Sequence, residues 1–496
     1  MTGNPAKDPE ISNTFKVNDQ EIFLVSDPAH ALKAIRNVFM NRKLYMSEKY
    51  VEQYGLSTDE INFEVLERMV IFGQERELSV FSHLSEKTLR LSVNHFKKMD
   101  VGLAMKVLSY KTSDAIRFLI SNYPEEFPHY YMTTAVFIEN VAEWFDIMKS
   151  RSITKCFHSE NPKKFQQHYK FLEHFMEFWG SCKIHDKQRS YWDQQKSVLM
   201  CTYTVMGLSI RLVKKDGFKF FLPGRVLADA IENYFSCVRQ FQKNPTPLLF
   251  KKVAKAICLI QFLRYSPNGS YEEDDSEEFL VDFEDFKSKE VDVHYVEEEE
   301  DLAMIDDQDI EALEKEDFEP DDHVEICALA NIAASILAKT IHHGRSKCQP
   351  CTEAFTTSYE GDEQKCNEFL RFRSKNTNKS TFPSILANAM FLSAESLFRS
   401  RRLDLLPENR NISKKLLEMV LADFEKEFSE MNIPDCHLKV IFGRFLKARC
   451  NFWARKSNAR ILKSQGAELN KQKKSSASAY QVHLTRSTKF SSNETE

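Results

Sequence analysis

The chain has 496 residues, and its 73 Asp and Glu against 68 Lys and Arg give a net charge of −5. This length predicts more than one domain. The small numbers of glycines (13) and prolines (15) favour a mostly helical fold with few tight turns. The polar start argues against a secretory leader, and no run of residues is expected to reach membrane-spanning length. The eleven scattered cysteines are expected to be reduced intracellular thiols.

The first predicted element is a short buried strand at residues 21–26, Glu-Ile-Phe-Leu-Val-Ser. It ends at Asp27, after which apolar residues recur at helical spacing: Ala31, Leu32, Ile35, Val38 and Phe39. Asp27 followed by Pro28 is typical of a helix N-cap with proline at the first helical position. Alternatively, Asp27 is a functional carboxylate at the C-terminal end of a sheet strand, where sites of open α/β sheets gather.

A second informative segment begins at residue 225 and predicts an amphipathic helix. Asn244-Pro245-Thr246-Pro247 ends it, because proline cannot continue a helix. Asp229 and Glu232 are neighbours at i, i+3 on its polar side, opposite Leu227, Tyr234, Phe235 and Val238. Such a carboxylate pair suits a metal-dependent phosphoryl-transfer site, although a solvated polar face is the commoner explanation.

These two segments resemble motifs of the P-element transposase family, whose animal members often carry a zinc-containing THAP finger that binds DNA. Residues 27–37, Asp-Pro-Ala-His-Ala-Leu-Lys-Ala-Ile-Arg-Asn, resemble the family pattern Asp-Pro-Pro-His-Leu-Leu-Lys-x-x-Arg-Asn. Residues 228–239, followed by Asn-Pro-Thr at 244–246, resemble Gln-Asp-x-Leu-Glu-x-x-Phe-Ser-x-x-Arg and its Asn-Pro-Thr. Between them, residues 84–109 and 145–148 resemble elements of the family's insertion domain. Four matches in this order are far more specific than any one alone.

The resemblance implies a mostly α fold with a small α/β part. A partial RNase H-like domain would be interrupted by an all-helical insertion domain and followed by a C-terminal helical domain. The predicted boundaries are 1–44 for the N-terminal part of the truncated RNase H-like domain, 45–220 for the GTP-binding-type insertion, 221–268 for the second RNase H-like part, 269–322 for an acidic disordered linker, 323–456 for the C-terminal domain and 457–496 for a disordered tail.

In that family three carboxylates hold two Mg²⁺ ions for DNA strand cleavage and joining, since hard cations prefer oxygen ligands. The resemblance assigns Asp27 to the second Asp and Glu232 to the Glu, and it places Asp229 near nucleotide and metal. The first catalytic Asp belongs on an upstream strand, and neither Asp8 nor Asp19 is in place to supply it.

Three hypotheses about function follow. The favoured one is a transposase-derived, catalytically defective protein that acts through DNA or chromatin binding. The alternative is an active Mg²⁺-dependent transposase, with GTP as cofactor, whose upstream strands and first Asp are missing from this chain. For that alternative, Glu232→Gln should abolish strand cutting and leave DNA binding nearly intact. A scaffold without a nucleic-acid role is the weakest of the three.

The resemblance also implies that the insertion domain binds GTP. Asp146, next to Phe145, matches the acidic residue that reads the guanine edge. Lys149 stands where the family has Asn, and Gly102 where a Lys is usual, so the family pattern is incomplete. An ordinary polar surface position is the alternative for Asp146. A P-loop is excluded, because Gly-x-x-x-x-Gly-Lys-Ser/Thr does not occur.

The small net charge hides a strong asymmetry. Residues 271–322 hold 26 acidic and 3 basic residues, a net of −23, so the remaining chain carries −5 + 23 = +18. A basic body suits the phosphate backbone of DNA as a partner. The acidic stretch predicts a self-repelling disordered linker, or less commonly a shield over a basic groove. No membrane partner is expected, and homo-oligomers or chromatin proteins are further candidates.

Past the acidic stretch, residues 324–337 predict a helix that opens a second helical unit. Cys348 and Cys351 form a Cys-x-x-Cys, and Cys436-His437 lies farther on, which resembles the family's C-terminal region. These four side chains could bind one Zn²⁺. Because neighbours on a helix point apart, Cys436 and His437 would both reach the ion only from a turn. Free or packed thiols are the alternative.

The last part of the chain is basic and then polar. A helix that carries Arg444, Lys447, Arg449 and Arg455 could bind phosphate or act in nuclear import, and a solvated face is its alternative. Nuclear localisation is the expectation. The N-terminus lacks the Cys and His spacing of a THAP finger, so the family's usual DNA reader is expected to be absent from this chain.

Overall fold

The computed structural model divides the chain into two compact units. Unit 1 comprises residues 1–75 and 81–296, and unit 2 comprises residues 76–80 and 297–496. The structure describes residues 14–18, 20–74, 76–89, 101–184, 190–228, 234–235, 237–239, 242, 244–263, 322–342, 348–358, 364–374, 381–402, 412–428 and 433–464. The fold is mostly helical, which confirms the predicted class at that level.

Unit 1 contains ten described helices and seven short strands. The helices are α1 Pro28–Asn41, α2 Glu48–Tyr54, α3 Glu64–Gln74, α4 Glu86–Leu89, α5 Val101–Val107, α6 Tyr110–Asn122, α7 Met132–Met148, α8 Pro162–Ser181, α9 Ser190–Ser209 and α10 Pro247–Leu263. The strands are β1 Thr14–Val17, β2 Gln20–Phe23, β3 Leu44–Tyr45, β4 Glu60–Ile61, β5 Phe157–His158, β6 Lys183–Ile184 and β7 Phe220–Phe221. They form a β1–β2 hairpin, a β4–β3–β6 sheet and a β5–β7 pair, all antiparallel.

The predicted buried strand at 21–26 is wrong in two respects. β2 ends at Phe23, and it pairs with β1 in a two-stranded hairpin in which Phe15 faces Ile22. Phe15 and Ile22 remain 44% and 40% exposed, and Val25 beyond the strand is 39% exposed. The physical reason is that a hairpin of two strands has no third strand or helix layer to cover this apolar face within the described residues.

The helix predicted after Asp27 is confirmed as α1. Asp27 is its N-cap, with its side chain accepting from the Ala29 amide, and Pro28 occupies the first turn. The predicted apolar positions are all buried, namely Ala31, Leu32, Ile35, Val38 and Phe39. A 14-residue helix with one buried stripe obtains its stability from packing that stripe against the rest of unit 1.

Aromatic side chains dominate the core of unit 1. Trp144 of α7 stacks on Phe175 of α8, with ring centroids 5.1 Å apart. Its indole N–H donates to Thr202 of α9 at 2.8 Å, so the one polar atom of this buried ring is satisfied. These contacts join α7, α8 and α9 and hold the C-terminal end of α7, where Asp146 lies.

The helix predicted from residue 225 begins later than expected. Pro223–Val226 form a 3₁₀ turn, and Leu227 is extended with φ −73° and ψ 156°. Residues 234–235 and 237–239 are helical, and Val238 packs with Val253 and Ile257 of α10. The predicted stop at Asn244–Thr246 is confirmed, because the backbone there is not helical and α10 starts at Pro247.

Unit 2 contains six described helices and one strand pair. They are α11 His323–Leu337, α12 Gln349–Phe355, α13 Glu368–Ser374, α14 Ile385–Arg401, α15 Ile412–Glu427 and α16 Leu438–Ser464, with β8 Thr356–Thr357 antiparallel to β9 Phe382–Pro383. The predicted helix at 324–337 is confirmed as α11. Asp322, predicted in the acidic stretch, is its N-cap and accepts from the amides of Val324 and Glu325.

Two helical segments, residues 194–215 and 323–341, are long and apolar enough to cross a membrane by length and composition. The expectation that no run reaches that length is therefore wrong for these segments. Within the structure, 56% and 67% of their apolar windows are buried. Burial to this extent is ordinary for a helix in the core of its unit, and two such helices are only a weak indication of a membrane.

Candidate functional site

Each oxygen of the Asp27 carboxylate makes one local hydrogen bond. Its Oδ1 accepts from the Ala29 amide at 3.0 Å, and its Oδ2 lies 2.7 Å from Nδ1 of His30. The bond from the Ala29 amide is that of an N-cap, which is the structural alternative predicted for this residue, and the His30 contact is a side-chain pair at i, i+3. Asp229 and Glu232 lie outside the described residues, as do Asp8 and Asp19. The predicted meeting of Asp27 with Glu232 at one Mg²⁺ pair therefore stays a prediction.

Asp146 occupies the last turn of α7 between two lysines. Its Oδ1 lies 3.3 Å from Nζ of Lys149, and its Oδ2 lies 3.0 Å from Nζ of Lys155. Burial raises the pKa of Asp146, but the two ammonium groups outweigh burial, and the net shift is downward. Its neighbour Glu143 is affected in the opposite sense, since burial and the nearby carboxylates Glu139 and Asp146 raise its pKa to about 7.

Lys149 affects more than the charge of Asp146. It is the C-cap residue of α7, and its ammonium lies 5.4 Å from the ring centroid of Phe145. The residue that departs from the family's Asn therefore contacts both predicted nucleotide-binding side chains. A guanine at Asp146 would have to displace at least one lysine from this carboxylate. Gly102, the second departure, lies in α5.

A tight turn packs against the chain that follows α7. The Gly224 amide donates to the carbonyl of Ser150 at 2.9 Å, and Arg151 Nε donates to the carbonyl of Gly224 at 3.3 Å. A Cβ on Gly224 would meet the carbonyl oxygen of Lys149 at 2.4 Å and Cγ of Arg151 at 2.7 Å. Only a residue without a side chain permits this approach.

We therefore expect Gly224→Ala to lower the free energy of unfolding by about 1–3 kcal/mol, the usual cost of overpacking. Urea denaturation followed by far-UV circular dichroism measures it. Gly443→Ala is the matched control in a helix, because its Cβ would meet only Leu417 at 3.8 Å. That substitution should raise stability by about 0.5–1 kcal/mol through helix propensity. Equal effects of the two changes would contradict the steric argument.

The predicted zinc ligands converge in unit 2. Sγ of Cys351 lies 3.3 Å from Sγ of Cys436 and 3.4 Å from Nδ1 of His437. Sγ of Cys348 lies 3.6 Å from that of Cys436. All four donor atoms lie within 4.8 Å of one another. Tetrahedral Zn²⁺ with bonds near 2.3 Å places neighbouring sulfurs about 3.8 Å apart, so the spacing fits one ion.

Local structure explains how adjacent residues 436 and 437 both reach this cluster. They form a turn immediately before α16, with the Leu438 amide donating to the carbonyl of Asp435 at 3.2 Å. The turn that the sequence required is therefore present. Cys351 is fully buried, and burial together with the neighbouring thiols raises its pKa. A cation at the centre would reverse that effect by favouring thiolates.

Sequence reasoning missed a buried ionic network inside unit 2. Arg449 of α16 donates to Glu77 at 2.8 Å and to Glu395 of α14 at 2.6 Å. Arg402 and Arg399 complete the network, contacting Glu77 at 2.5 Å and Glu395 at 2.8 Å respectively. Both sequence-based alternatives for this helix, a phosphate-binding surface and a solvated face, are wrong for Arg449, because this side chain is 1% exposed. Arg444 and Lys447 on the same helix are exposed.

Comparison with known proteins tests the family resemblance. Residues 29–162 match the family model of the TNP-like, GTP-binding insertion domain. These residues therefore form a TNP-like insertion domain. This confirms the resemblance drawn from the sequence motifs. The match starts in α1 and includes Phe145 and Asp146. No curated protein matches the chain.

A solved structure also matches, the Drosophila P element transposase strand transfer complex. The two chains share 22% sequence identity with a TM-score of 0.41, over 49% of this chain and 53% of that chain. The chain therefore spans about half the length of the Drosophila transposase.

Proposed function

We propose that this chain is a P-element-type protein that is derived from a transposase, binds DNA and lacks strand-cutting activity. The insertion-domain match at residues 29–162 carries this proposal. The net charge of +18 outside residues 271–322 supports a phosphate-backbone partner. Nuclear localisation and partners on chromatin follow from the same proposal.

Binding to duplex DNA should show a steep dependence on salt. A plot of log affinity against log salt concentration falls by about 0.9 for every phosphate neutralised, so five contacts would give a slope of about −4.5. Fluorescence anisotropy with a labelled duplex measures it. Replacing the acidic residues of 271–322 by Asn and Gln should raise low-salt affinity about tenfold or more, because 26 negative charges no longer compete. A scrambled 271–322 of unchanged composition is the control, and a flat salt response would contradict the proposal.

The loss of catalysis is supported by Asp27, whose two carboxylate oxygens both serve local contacts around the start of α1. The active enzyme remains the second candidate, in which Asp27 and Glu232 would hold Mg²⁺ with Asp229 nearby. Mg²⁺-dependent strand cutting by the purified chain that disappears in Glu232→Gln, with duplex binding unchanged, would establish this candidate and reject ours.

We further propose that the insertion domain takes GTP, because its family is named for that ligand. A carboxylate at Asp146 can accept both N–H groups on the guanine edge, whereas an amide there pairs better with the second carbonyl of xanthine. Asp146→Asn should therefore weaken GTP binding roughly tenfold or more and strengthen xanthosine triphosphate binding. Isothermal titration calorimetry measures both ligands, with Glu160→Gln as an exposed control. An unchanged preference in Asp146→Asn would remove Asp146 from the site.

Zn²⁺ is the ion that we propose for the cluster of Cys348, Cys351, Cys436 and His437. Three sulfurs and one imidazole nitrogen are a soft, closed ligand set, typical of a structural site with no open position for substrate. The ion would cross-link the start of α12 to the start of α16 and thereby stabilise unit 2.

A further inference from the structure

A surface of unit 1 combines exposed phenylalanines with lysines. We call it the aromatic–basic patch, and its members are His158, Lys214, Lys215, Phe218, Lys219 and Phe220. β5 and β7 build its base, with His158 directly opposite Phe220 and the two rings 6.2 Å apart. The opposite face of the same strand pair is the core side, where Phe157 and Phe221 are buried.

The exposure of the two phenylalanines is unusual for this residue type. Phe218 is 56% exposed and Phe220 39% exposed, whereas Phe221 next to them is 5% exposed. Phenylalanine gains more from burial than most side chains, so two neighbouring exposed rings indicate a surface that something covers.

The backbone around these rings is tied down at several points. After the π-helical turn Ile210–Lys215, the Asp216 amide donates to the carbonyl of Arg211, and the Phe218 amide donates to that of Leu212. Gly217 between them has φ +76°, a conformation that side-chain-bearing residues rarely adopt. Both the amide and the hydroxyl of Ser159 donate to the carbonyl of Lys219. The backbone that carries the rings is therefore held in place before any partner arrives, which lowers the entropic cost of binding.

The surrounding charge selects the class of partner. Residues 149–164 and 211–225, the segments that contain the two strands, carry ten Lys and Arg against Glu160 and Asp216, a net of +8 that becomes +7 when Asp146, the partner of Lys149 and Lys155, is included. Asp216 is itself paired with Arg211 at 3.0 Å. Lys214 lies 4.5 Å from the ring centroid of Phe165, which anchors one cation at the edge of the patch. The partner is therefore a polyanion that can also cover two aromatic rings.

We propose that the aromatic–basic patch binds single-stranded DNA, with unpaired bases stacked on Phe218 and Phe220 and phosphates held by Lys215 and Lys219. A duplex keeps its bases stacked on one another, so it cannot use the rings, whereas every unpaired base has a face that can. This inference rests on the proposed DNA-binding function and assigns a particular surface and strand state to it.

The test measures binding of the full chain to labelled oligo-dT, to an abasic strand of equal length and to a blunt duplex. Phe218→Ala/Phe220→Ala should weaken oligo-dT binding by about tenfold or more, while binding of the abasic strand and the duplex stays within about twofold. Phe218→Leu keeps an apolar side chain but has no aromatic face, so it should also weaken oligo-dT binding. Lys215→Gln/Lys219→Gln should reduce the salt slope for oligo-dT by about 1.4.

Tyr130→Ala is the matched control, because Tyr130 is an aromatic of unit 1 that is 40% exposed and lies outside the patch. Equal loss in this variant, or equal affinity of wild type for oligo-dT and the abasic strand, would overturn the proposal. If the Phe218 substitutions weakened binding to anionic phosphatidylserine vesicles and left oligo-dT binding unaffected, the patch would be assigned to a membrane instead. A wild-type chain that binds oligo-dT but no duplex would restrict the proposed DNA binding to single strands and support this inference, whereas duplex binding without oligo-dT binding would reject the inference and leave the proposed function standing.

Discussion

Replacing Arg449 by Met should lower the free energy of unfolding of unit 2 by about 3–5 kcal/mol. Met fills similar space but removes one of the arginines that contact Glu77 and Glu395, which are 1% and 0% exposed, and so leaves the buried network one positive charge short. Uncompensated charge in a dry interior costs far more than the net value of an ion pair. Urea unfolding monitored by circular dichroism provides the measurement.

Arg444→Met on the same helix is the control for this experiment. Its guanidinium is exposed and donates to Thr340 at 2.9 Å, so its removal should cost no more than about 1 kcal/mol. If the two variants unfolded at the same urea concentration, Arg449 would contribute only as a surface residue does. The buried network would then have no special part in stability.

The same network predicts how stability depends on pH. Burial raises the pKa of Glu77, but Arg402, Arg449 and Arg399 outweigh burial and lower the pKa from 4.5 to about 2. A carboxyl whose pKa is depressed in the folded state contributes its full stabilisation at pH values above its pKa in the unfolded state. It loses this contribution as the pH falls through its pKa in the folded state. The contribution of Glu77 should therefore be complete above about pH 4.5 and disappear towards pH 2. In Glu77→Gln this part of the acid dependence should be absent.

The sequence predicted those parts of the fold that depend on local patterns. Asp27 before Pro28 followed by buried positions at helical spacing gave the N-cap and the core face of α1, because each signal acts within one or two turns. The turn at residues 244–246 was predictable from its prolines for the same reason. The two-stranded hairpin was not, since an apolar run such as 21–26 looks alike whether or not another layer covers it.

The Cys/His cluster and the ionic network also differ in how far the sequence could predict them. The four zinc ligands could be listed from residue type and spacing, although their convergence requires a chain reversal between residues 351 and 436. The ionic network could not be found, because Arg449 and Glu77 are 372 positions apart and each looks like an ordinary surface charge. Only the fold determines which arginine of a basic helix turns inwards. Resemblance supplied Asp146, but its pairing with Lys149 and Lys155 emerged from the structure.

Loss of the Cys/His cluster should lower the stability of unit 2 more than loss of any other site in that unit. We expect one Zn²⁺ per chain after purification without chelator, and none in Cys351→Ala/Cys436→Ala, as measured by inductively coupled plasma mass spectrometry. Structural Zn²⁺ in small domains binds with about 10–16 kcal/mol, and this free energy stabilises only the folded state that holds the site. The variant should therefore lose most of the cooperative unfolding transition of unit 2, and a strong chelator should reproduce this loss in the wild type.

Cys258→Ala is the matched control, because this exposed thiol of α10 lies outside the cluster. It should retain one zinc and the wild-type melting temperature. Stability in itself does not identify the ion, so the metal count and the melting temperature must fall together. A chain that contains no zinc, or one whose melting temperature ignores both the chelator and the double substitution, would show that the three thiols and His437 are merely packed neighbours. Their spacing of 3.3–3.6 Å would then reflect close packing of soft atoms at the start of α16.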